Sequence, residues 1–253
     1  MNYTTPNLTP DTALLELSGT EFVELLDSRI KGIYSTVVTS DMWEALQSPD
    51  TPIELLKLAM REVYFEISTY QPHAIEAAIT AISQMPRTLD ERTVKAMLRH
   101  QAEEFTHGEM ALRDFRALGG DVEWARSQRP SPAAYAVASV WSFIAHDRDP
   151  FAYLGALYPF EGLTPQVSGG ALETLAKRGF PEDALEFVTF HAEEDPRHTA
   201  LVRALIEKVA SKYPESREAM LHGIDNFLNI YPVPVWKTAY DRALEHYQRE
   251  VAA

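Results

Sequence analysis

Apolar residues recur along most of the chain with the period of an α-helix. Near the start, a first series lies behind a candidate N-cap at Ser18 or Thr20 and is formed by Phe22, Leu25, Leu26 and Ile30. A short helix is predicted over Asp41–Gln47. The next helix begins after Thr51-Pro52, because proline fits the first helical turn, and it carries the series Leu55, Leu58, Ala59, Val63 and Ile67.

Prolines and glycines predict where these helices end. Pro72 is expected to interrupt the third helix, which resumes over Ala74–Ile82 until Pro86. Residues 89–118 are predicted to form the longest uninterrupted helix, capped by Asp90 and ended by Gly119-Gly120. Later helices are predicted over 131–146, 150–178, 182–211 and 215–249, with kinks or breaks near Pro159, Gly162, Pro165, Pro232 and Pro234.

No segment alternates apolar and polar residues as a β-strand does. The pattern therefore predicts an all-α fold, as a single-domain bundle of about seven main helices. Residues 1–10 are polar and contain prolines, so we expect a flexible lead-in, with one helical domain over 11–253.

Composition narrows the class of protein. The 253 residues are 45% hydrophobic, as in ordinary globular proteins, and include no cysteine, which excludes disulfides and thiolate chemistry. The net charge of −14 and the lack of a basic run argue against nucleic acid as a partner. The first residues do not resemble a signal peptide and no apolar run is long enough to span a membrane, so we expect a cytoplasmic protein without a membrane partner.

Two similar motifs of histidine and acid carry the candidate chemistry. The first is His100-x3-Glu104-x2-His107 and the second is His191-x3-Asp195-x2-His198. Offsets of three, four and seven residues place each set of side chains on one stripe of a helix. Either motif alone is more often a solvated charged face, but composition predicts well under one chance occurrence, and the chain has two. Imidazole and carboxylate together suit iron, manganese or zinc.

Glu161 is a third candidate. It is the only charged residue between Asp149 and Glu173, in the apolar run FAYLGALYPFEGLTPQV. A buried ionised carboxylate needs a cation or hydrogen-bond donors, and a metal would serve. The alternatives are a buried ion pair with an arginine or an exposed glutamate on a bend. Five nearby aromatic residues are expected to be core or to line an apolar pocket: Tyr135, Trp141, Phe143, Tyr158 and Phe160.

The predicted metal ligands are three carboxylates and three imidazoles. A catalytic zinc keeps only three protein ligands, so six suit two iron or manganese ions better. His100 remains open as a seventh ligand, a residue that orients Glu104, or a core histidine. Pro196 is a complication, because a full helix break there would make Glu194 the rival to Asp195. The six are Glu104, His107, Glu161, His191, Asp195 and His198.

At these residues the chain resembles the haem-oxygenase-like diiron oxidases and oxygenases. That family takes a glutamate and a histidine from one helix, a glutamate from the next and His-x3-Asp-x2-His from a third, and the order here is the same, over roughly residues 55–215. Glu104 lies three residues before His107, as in the family's fatty-acid decarboxylase that makes terminal alkenes. The structural rival is the ferritin-like diiron fold. That fold needs Glu-x-x-His on two helices, and the second motif here is His-x3-Asp-x2-His instead.

The resemblance implies two Fe(II) ions per chain, with O2 as co-substrate. We expect a cytoplasmic oxidoreductase of specialised metabolism that oxidises a small carboxylate, with an amino acid or a derivative as the first choice. A fatty-acid decarboxylase forming a terminal alkene is the alternative, and a metal-free thiaminase-like or cofactorless relative is another. A non-enzymatic metal-storage or interaction protein is the third possibility. An external electron donor and a homodimer are both compatible with the resemblance.

Overall fold

The described part of the chain, residues 12–252 of this computed structural model, is built from helices without a β-strand. The predicted all-α bundle is therefore confirmed. Seven of the α-helices have at least 14 residues. The α-helices are α1 (Thr12–Glu16), α2 (Gly19–Val37), α3 (Asp41–Gln47), α4 (Ile53–Gln84), α5 (Glu91–Glu104), α6 (His107–Ala117), α7 (Val122–Ser127), α8 (Pro132–Ala145), α9 (Ala152–Lys177), α10 (Glu186–Lys212), α11 (Arg217–Leu228) and α12 (Val233–Val251), with 3₁₀ turns at Glu182–Ala184 and Pro214–Ser216.

Side-chain caps begin several of these helices. Ser18 caps α2 in a capping box with Glu21, which decides between the two predicted caps. Asp90 caps α5 as predicted. The predicted lead-in, residues 1–10, lies outside the described residues, so the division of the chain at residue 10 stays a prediction.

Four prolines that were expected to interrupt or kink helices do not end them. The 32-residue helix α4 continues through Pro72, α9 continues through Pro159 and Pro165, and α10 continues through Pro196. The expected break at Pro72 was wrong. Helix α4 buries sixteen residues against α6, α8 and α12, and this packing outweighs the lost hydrogen bond and the ring clash of one interior proline, which together cost about 3 kcal/mol.

The prediction of one uninterrupted helix over 89–118 was also wrong, because the structure has two helices there. Helix α5 ends at Glu104 and α6 begins at His107, with Phe105 and Thr106 between them. Both intervening residues keep right-handed helical torsion angles, at φ −56° and −93°. Because no glycine or proline marks this interruption, the sequence pattern does not reveal it.

The core lies where α9 packs along α10 and α11 and where α4 packs on α8 and α12. The backbones of α9 and α11 almost touch. A Cβ atom added to Gly155 would lie 1.8 Å from the Met220 carbonyl oxygen, and one added to Gly223 would lie 2.2 Å from that of Ala152. Between residues 12 and 252, no helix combines the length and apolar character that a membrane crossing requires.

Candidate metal centre

The two histidine motifs and Glu161 converge in the interior of the bundle. Helix α5 supplies His100 and Glu104, and α6 begins with His107. Helix α9 supplies Glu161, and α10 supplies the second motif. All of these residues are buried except Glu104, whose side chain is 12% exposed. Because Pro196 leaves α10 continuous, Asp195 and His198 stay on the buried face with His191. Glu194 instead lies outside and pairs with Arg197.

Four of these side chains form a tight group. Each of His100, Glu104, Glu161 and His198 offers one ligand atom, and the four atoms all lie within 4.8 Å of one another. The His100 Nε2 atom is 3.0 Å from Oε1 of Glu161, and the His198 Nδ1 atom is 3.3 Å from Oε1 of Glu104. This spacing would let a single ion contact all four residues.

The other three predicted residues lie next to this group. The second carboxylate oxygen of Glu104, Oε2, is 2.8 Å from Nδ1 of His107. The rings of His107 and His191 have their centroids 4.7 Å apart, and Asp195 Oδ1 is 3.6 Å from Nδ1 of His198. Glu104 therefore lies between two sets of donors, with one carboxylate oxygen facing each set.

His100 is the residue that the sequence left undecided. Its ring is 2% exposed, and its Nε2 atom faces Glu161 and Glu104 from within the tight group. The signal was present, because His100 opens the first motif. Offsets alone could not tell whether this position faces the candidate metal ligands or only the neighbouring turn.

Groups outside the site hold three of the imidazole rings in orientation. The carbonyl oxygen of Phe187 lies 2.6 Å from Nδ1 of His191, which leaves Nε2 of that ring for a metal. A carboxylate oxygen of Glu103 lies 2.9 Å from Nε2 of His198, and the Gln101 amide lies 2.9 Å from Nδ1 of His100. Such outer partners fix the tautomer and direction of metal-binding histidines.

Unsatisfied ring nitrogens test whether a metal would fit. Among residues 12–252, His100 Nε2, His107 Nδ1, His107 Nε2 and His198 Nδ1 are buried and form no hydrogen bond of good geometry, although a carboxylate oxygen lies within 3.3 Å of three of them. A buried polar atom left unpaired costs about 1–3 kcal/mol. A divalent metal would coordinate one nitrogen of each of these three rings, and the mixed donor set suits iron.

In the absence of a metal, the crowded carboxylates and imidazoles of the site shift one another's pKa values. Burial, together with the charge of Glu104, raises the pKa of Glu161 to about 7. Burial would also raise the pKa of Glu104, but the imidazoles of His107 and His198 hold it well below its usual range. Burial disfavours the charged form of His198, yet Asp195 and Glu104 raise its pKa to about 11. In the metal-free protein, protons therefore offset the negative charge of these carboxylates, and divalent cations would replace those protons.

A small cavity of about 20 Å³ adjoins the site. Its lining includes the polar residues Glu104, Glu161, His191 and Asp195, and the rest of the lining is largely aromatic, with Phe160 among its residues. The expectation for the five aromatic residues near Glu161 holds only in part. Trp141 and Tyr158 are core residues, whereas Tyr135 and Phe143 lie on the surface, 65% and 74% exposed.

Comparison with solved structures defines the fold class as haem-oxygenase-like. A domain of unknown function with this fold from Shewanella denitrificans is 20% identical, has a TM-score of 0.72, and aligns over 89% of this chain and 93% of its own. The model of the iron-containing redox enzyme family matches residues 61–231, so the chain belongs to that family. These matches confirm the resemblance proposed from the sequence and do not support the ferritin-like alternative.

Two further structures share the fold at low identity. A TenA homologue from Pseudomonas syringae is 13% identical with a TM-score of 0.69, over 88% of this chain and 93% of its own. A CADD-like protein of unknown function from Nostoc punctiforme is 18% identical with a TM-score of 0.53, over 87% and 99%. No curated protein matches the chain. Family membership supports iron and redox chemistry, while the number of irons and the substrate stay predictions.

Proposed function

We propose that this protein is a non-haem diiron enzyme that uses O2 to oxidise a small carboxylate metabolite in specialised metabolism. The observation that supports it most is the buried group of His100, Glu104, Glu161 and His198, with ring nitrogens that lack hydrogen-bond partners. The family match to iron-containing redox enzymes agrees with it.

The chain's residues would divide between two metal positions. His100, Glu161 and His198 surround one position, His107 and His191 lie together at the other, and Asp195 lies beside His198. Glu104 faces both, so it is the residue we expect to be shared. Two ferrous ions bound there would supply O2 activation for removing hydrogen from a substrate or transferring oxygen to it. The surrounding helices would keep bulk water away.

The electron balance agrees with the predicted need for an external donor. Reduction of O2 to two water molecules takes four electrons, and a desaturation or an oxidative decarboxylation removes two electrons from the substrate. The other two electrons must come from outside for each further turnover.

A metal-free relative is the second candidate, because TenA homologues share the fold. Two features of this chain weigh against it. Without a metal, ring nitrogens of three buried histidines form no hydrogen bond of good geometry. The chain also has no cysteine, so chemistry that needs a thiolate nucleophile is excluded.

Iron content is the direct test. We expect the protein loaded anaerobically with Fe(II) and then desalted to hold about two irons per chain by elemental analysis, and to develop a transient visible absorption on exposure to O2. His107→Ala and His191→Ala should each lower the iron content and abolish that absorption, because each removes a proposed ligand.

The matched control is His73→Ala, because His73 is exposed on α4. This variant should keep both the iron and the absorption, and circular dichroism should show unchanged helix content in all three variants. Iron that does not bind, or that binds equally to every variant, would contradict the proposal.

A further inference from the structure

Asp114 is a buried carboxylate that the proposed metal ligands do not include. It lies on α6 seven residues after His107, so both side chains lie on the buried face of that helix. Its two oxygens accept hydrogen bonds from the first two backbone N–H groups of α10, since Oδ2 lies 2.8 Å from the nitrogen of Phe187 and Oδ1 lies 3.3 Å from that of Glu186. Burial raises the pKa of Asp114 to about 6, while these N–H groups favour its charged form.

This carboxylate supplies the cap that α10 does not receive from its own N-terminal segment. Helices α2, α3, α5, α7 and α8 are each capped by the side chain of the residue that precedes them, whereas Leu185, which precedes α10, makes no such hydrogen bond. The first turn of a helix leaves N–H groups unpaired and carries partial positive charge, so an anion there is stabilising. At α10 the anion comes from another helix, and the cap therefore joins α6 to α10.

The capped residue Phe187 in turn holds His191. Its carbonyl oxygen lies 2.6 Å from Nδ1 of His191, and its ring stacks on the imidazole with centroids 3.9 Å apart. A carbonyl oxygen can only accept, so the neutral ring of His191 carries its proton on Nδ1 and leaves Nε2 free. The rings of His191 and His107 have their centroids 4.7 Å apart. The contact of Asp114 with the first turn of α10 therefore connects the two helices that supply this pair of imidazoles.

We infer that Asp114 is a positioning residue of the metal centre, which fixes α10 against α6 so that His107 and His191 can bind one ion together. The inference rests on the proposed function and assigns Asp114 to one of the two metal positions. The other position takes its histidines and its own glutamate from α5, α9 and a later part of α10, so it should depend much less on Asp114. A cap with only a structural role would affect both positions alike or neither.

The affinities of the two irons test this selectivity. We expect the wild-type protein, loaded anaerobically with Fe(II) and desalted, to hold about two irons per chain, and Asp114→Ala to hold about one. In an anaerobic titration against a chelator, Asp114→Ala should weaken the second iron about tenfold or more and change the first by less than about threefold. Asp114→Asn keeps one oxygen that can accept from Phe187, so it should retain more of the second iron, and it carries the test if Asp114→Ala does not fold.

Arg113→Ala is the matched control. Arg113 precedes Asp114 on α6 and donates to the Glu186 carboxylate at 2.8 and 2.6 Å, but the two side chains are 46% and 45% exposed. An exposed ion pair contributes little, and this one does not contact Phe187, so Arg113→Ala should keep both irons. Circular dichroism checks that every variant is folded. Equal loss of the second iron in Arg113→Ala and Asp114→Ala would overturn the inference.

A second readout needs no metal. In metal-free protein labelled with ¹⁵N-histidine, NMR of the ring nitrogens reports the tautomer of each ring, and His191→Gln identifies the signals of His191. We expect the wild type and Arg113→Ala to carry the proton of His191 on Nδ1. Asp114→Ala should show a mixture of both tautomers, because the Phe187 carbonyl is no longer held in place.

Equal weakening of both irons in the Asp114 variants, unchanged affinity for both, or an unchanged His191 tautomer in Asp114→Ala would each overturn the inference. A wild-type protein that holds no iron would instead contradict the proposed function. A change of tautomer in Asp114→Ala would then still support the assignment of Asp114 as the residue that orients His191.

Discussion

Glu103 is a partly exposed residue that contacts the buried ring of His198. Its carboxylate oxygen lies 2.9 Å from Nε2 of His198, while Nδ1 of the same ring faces Glu104 and Asp195. Arg197 holds the carboxylate in place at 2.9 Å. The Glu103 side chain is 42% exposed and His198 is fully buried, so the pair links the outside of the bundle to the candidate metal site. A carboxylate in this position orients the imidazole and makes it a stronger metal ligand.

We therefore expect Glu103→Ala to weaken Fe(II) binding about 10- to 100-fold. Glu103→Gln should give a smaller loss, since the amide oxygen still accepts a hydrogen bond but carries no charge. The measurement is an anaerobic Fe(II) titration against a chelator of known affinity. The control is Glu194→Ala, which removes another partner of Arg197 that does not contact His198. Equal affinities for the variants at 103 and 194 would show that the contact with His198 does not matter.

Residue spacing found the two motifs but was insufficient to find every residue of the site. Glu103 lies three residues after His100 and four before His107, so its offsets fit the stripe as well as those of Glu104, and only the packing of the helices separates their roles. Spacing could not assign a role to His100 or find Glu103 and Gln101. Their roles depend on which helix packs opposite, and a single helix does not contain that information.

At the level of the helices, α9 and α11 approach each other closely at Gly155 and Gly223. Gly155 meets the Met220 carbonyl there, which is backbone that cannot rotate away. We expect Gly155→Ala to lower the free energy of unfolding by about 2 kcal/mol or more, because the helices must separate to admit the methyl group. Urea denaturation measures it.

Gly169 provides the control on the same helix. A Cβ atom added there meets nothing within 4 Å, so Gly169→Ala should be neutral or stabilise the protein by up to about 1 kcal/mol. If both substitutions changed stability equally, the effect would come from helix propensity rather than from the contact with α11.

Helix type was predictable and helix boundaries less so, for a physical reason. Caps such as Ser18 and Asp90 act within one turn, and the sequence contains everything needed to identify them. Pro72 and Pro196 act against the packing of the whole helix, and that packing decides the outcome. The interruption at Phe105 and Thr106 involves no helix-breaking residue, so no local rule predicts it.

Across the whole molecule, the candidate site joins elements that are distant in the chain. Its residues run from His100 to His198 and lie on α5, α6, α9 and α10. The repeated motif and the family resemblance made this convergence predictable. A largely apolar cavity between α3, α4, α9, α10 and α12 was not predictable, because the apolar residues of these five helices that line it look like ordinary core.

The convergence has a consequence for stability. Metal-free protein must bury Glu104, Glu161 and Asp195 beside imidazoles with unpaired nitrogens, which is costly. Ions bound between α5, α9 and α10 would offset that cost and hold these helices together. Since the unfolded chain does not preform the site, binding free energy adds to the stability of the folded state.

We therefore expect Fe(II), added without oxygen, to raise the midpoint of thermal unfolding. At a free concentration 100 times the dissociation constant, one bound ion adds about 2.7 kcal/mol. For a chain of this size, each kcal/mol corresponds to about 2–4 °C, so a rise of about 5–10 °C is expected. Anaerobic scanning fluorimetry measures it.

His198→Ala should lose most of the rise and His73→Ala should keep it, because only His198 faces the other donors of the site. A rise of the same size in His198→Ala would mean that the ions bind elsewhere on this acidic protein and that the buried group is not the metal site.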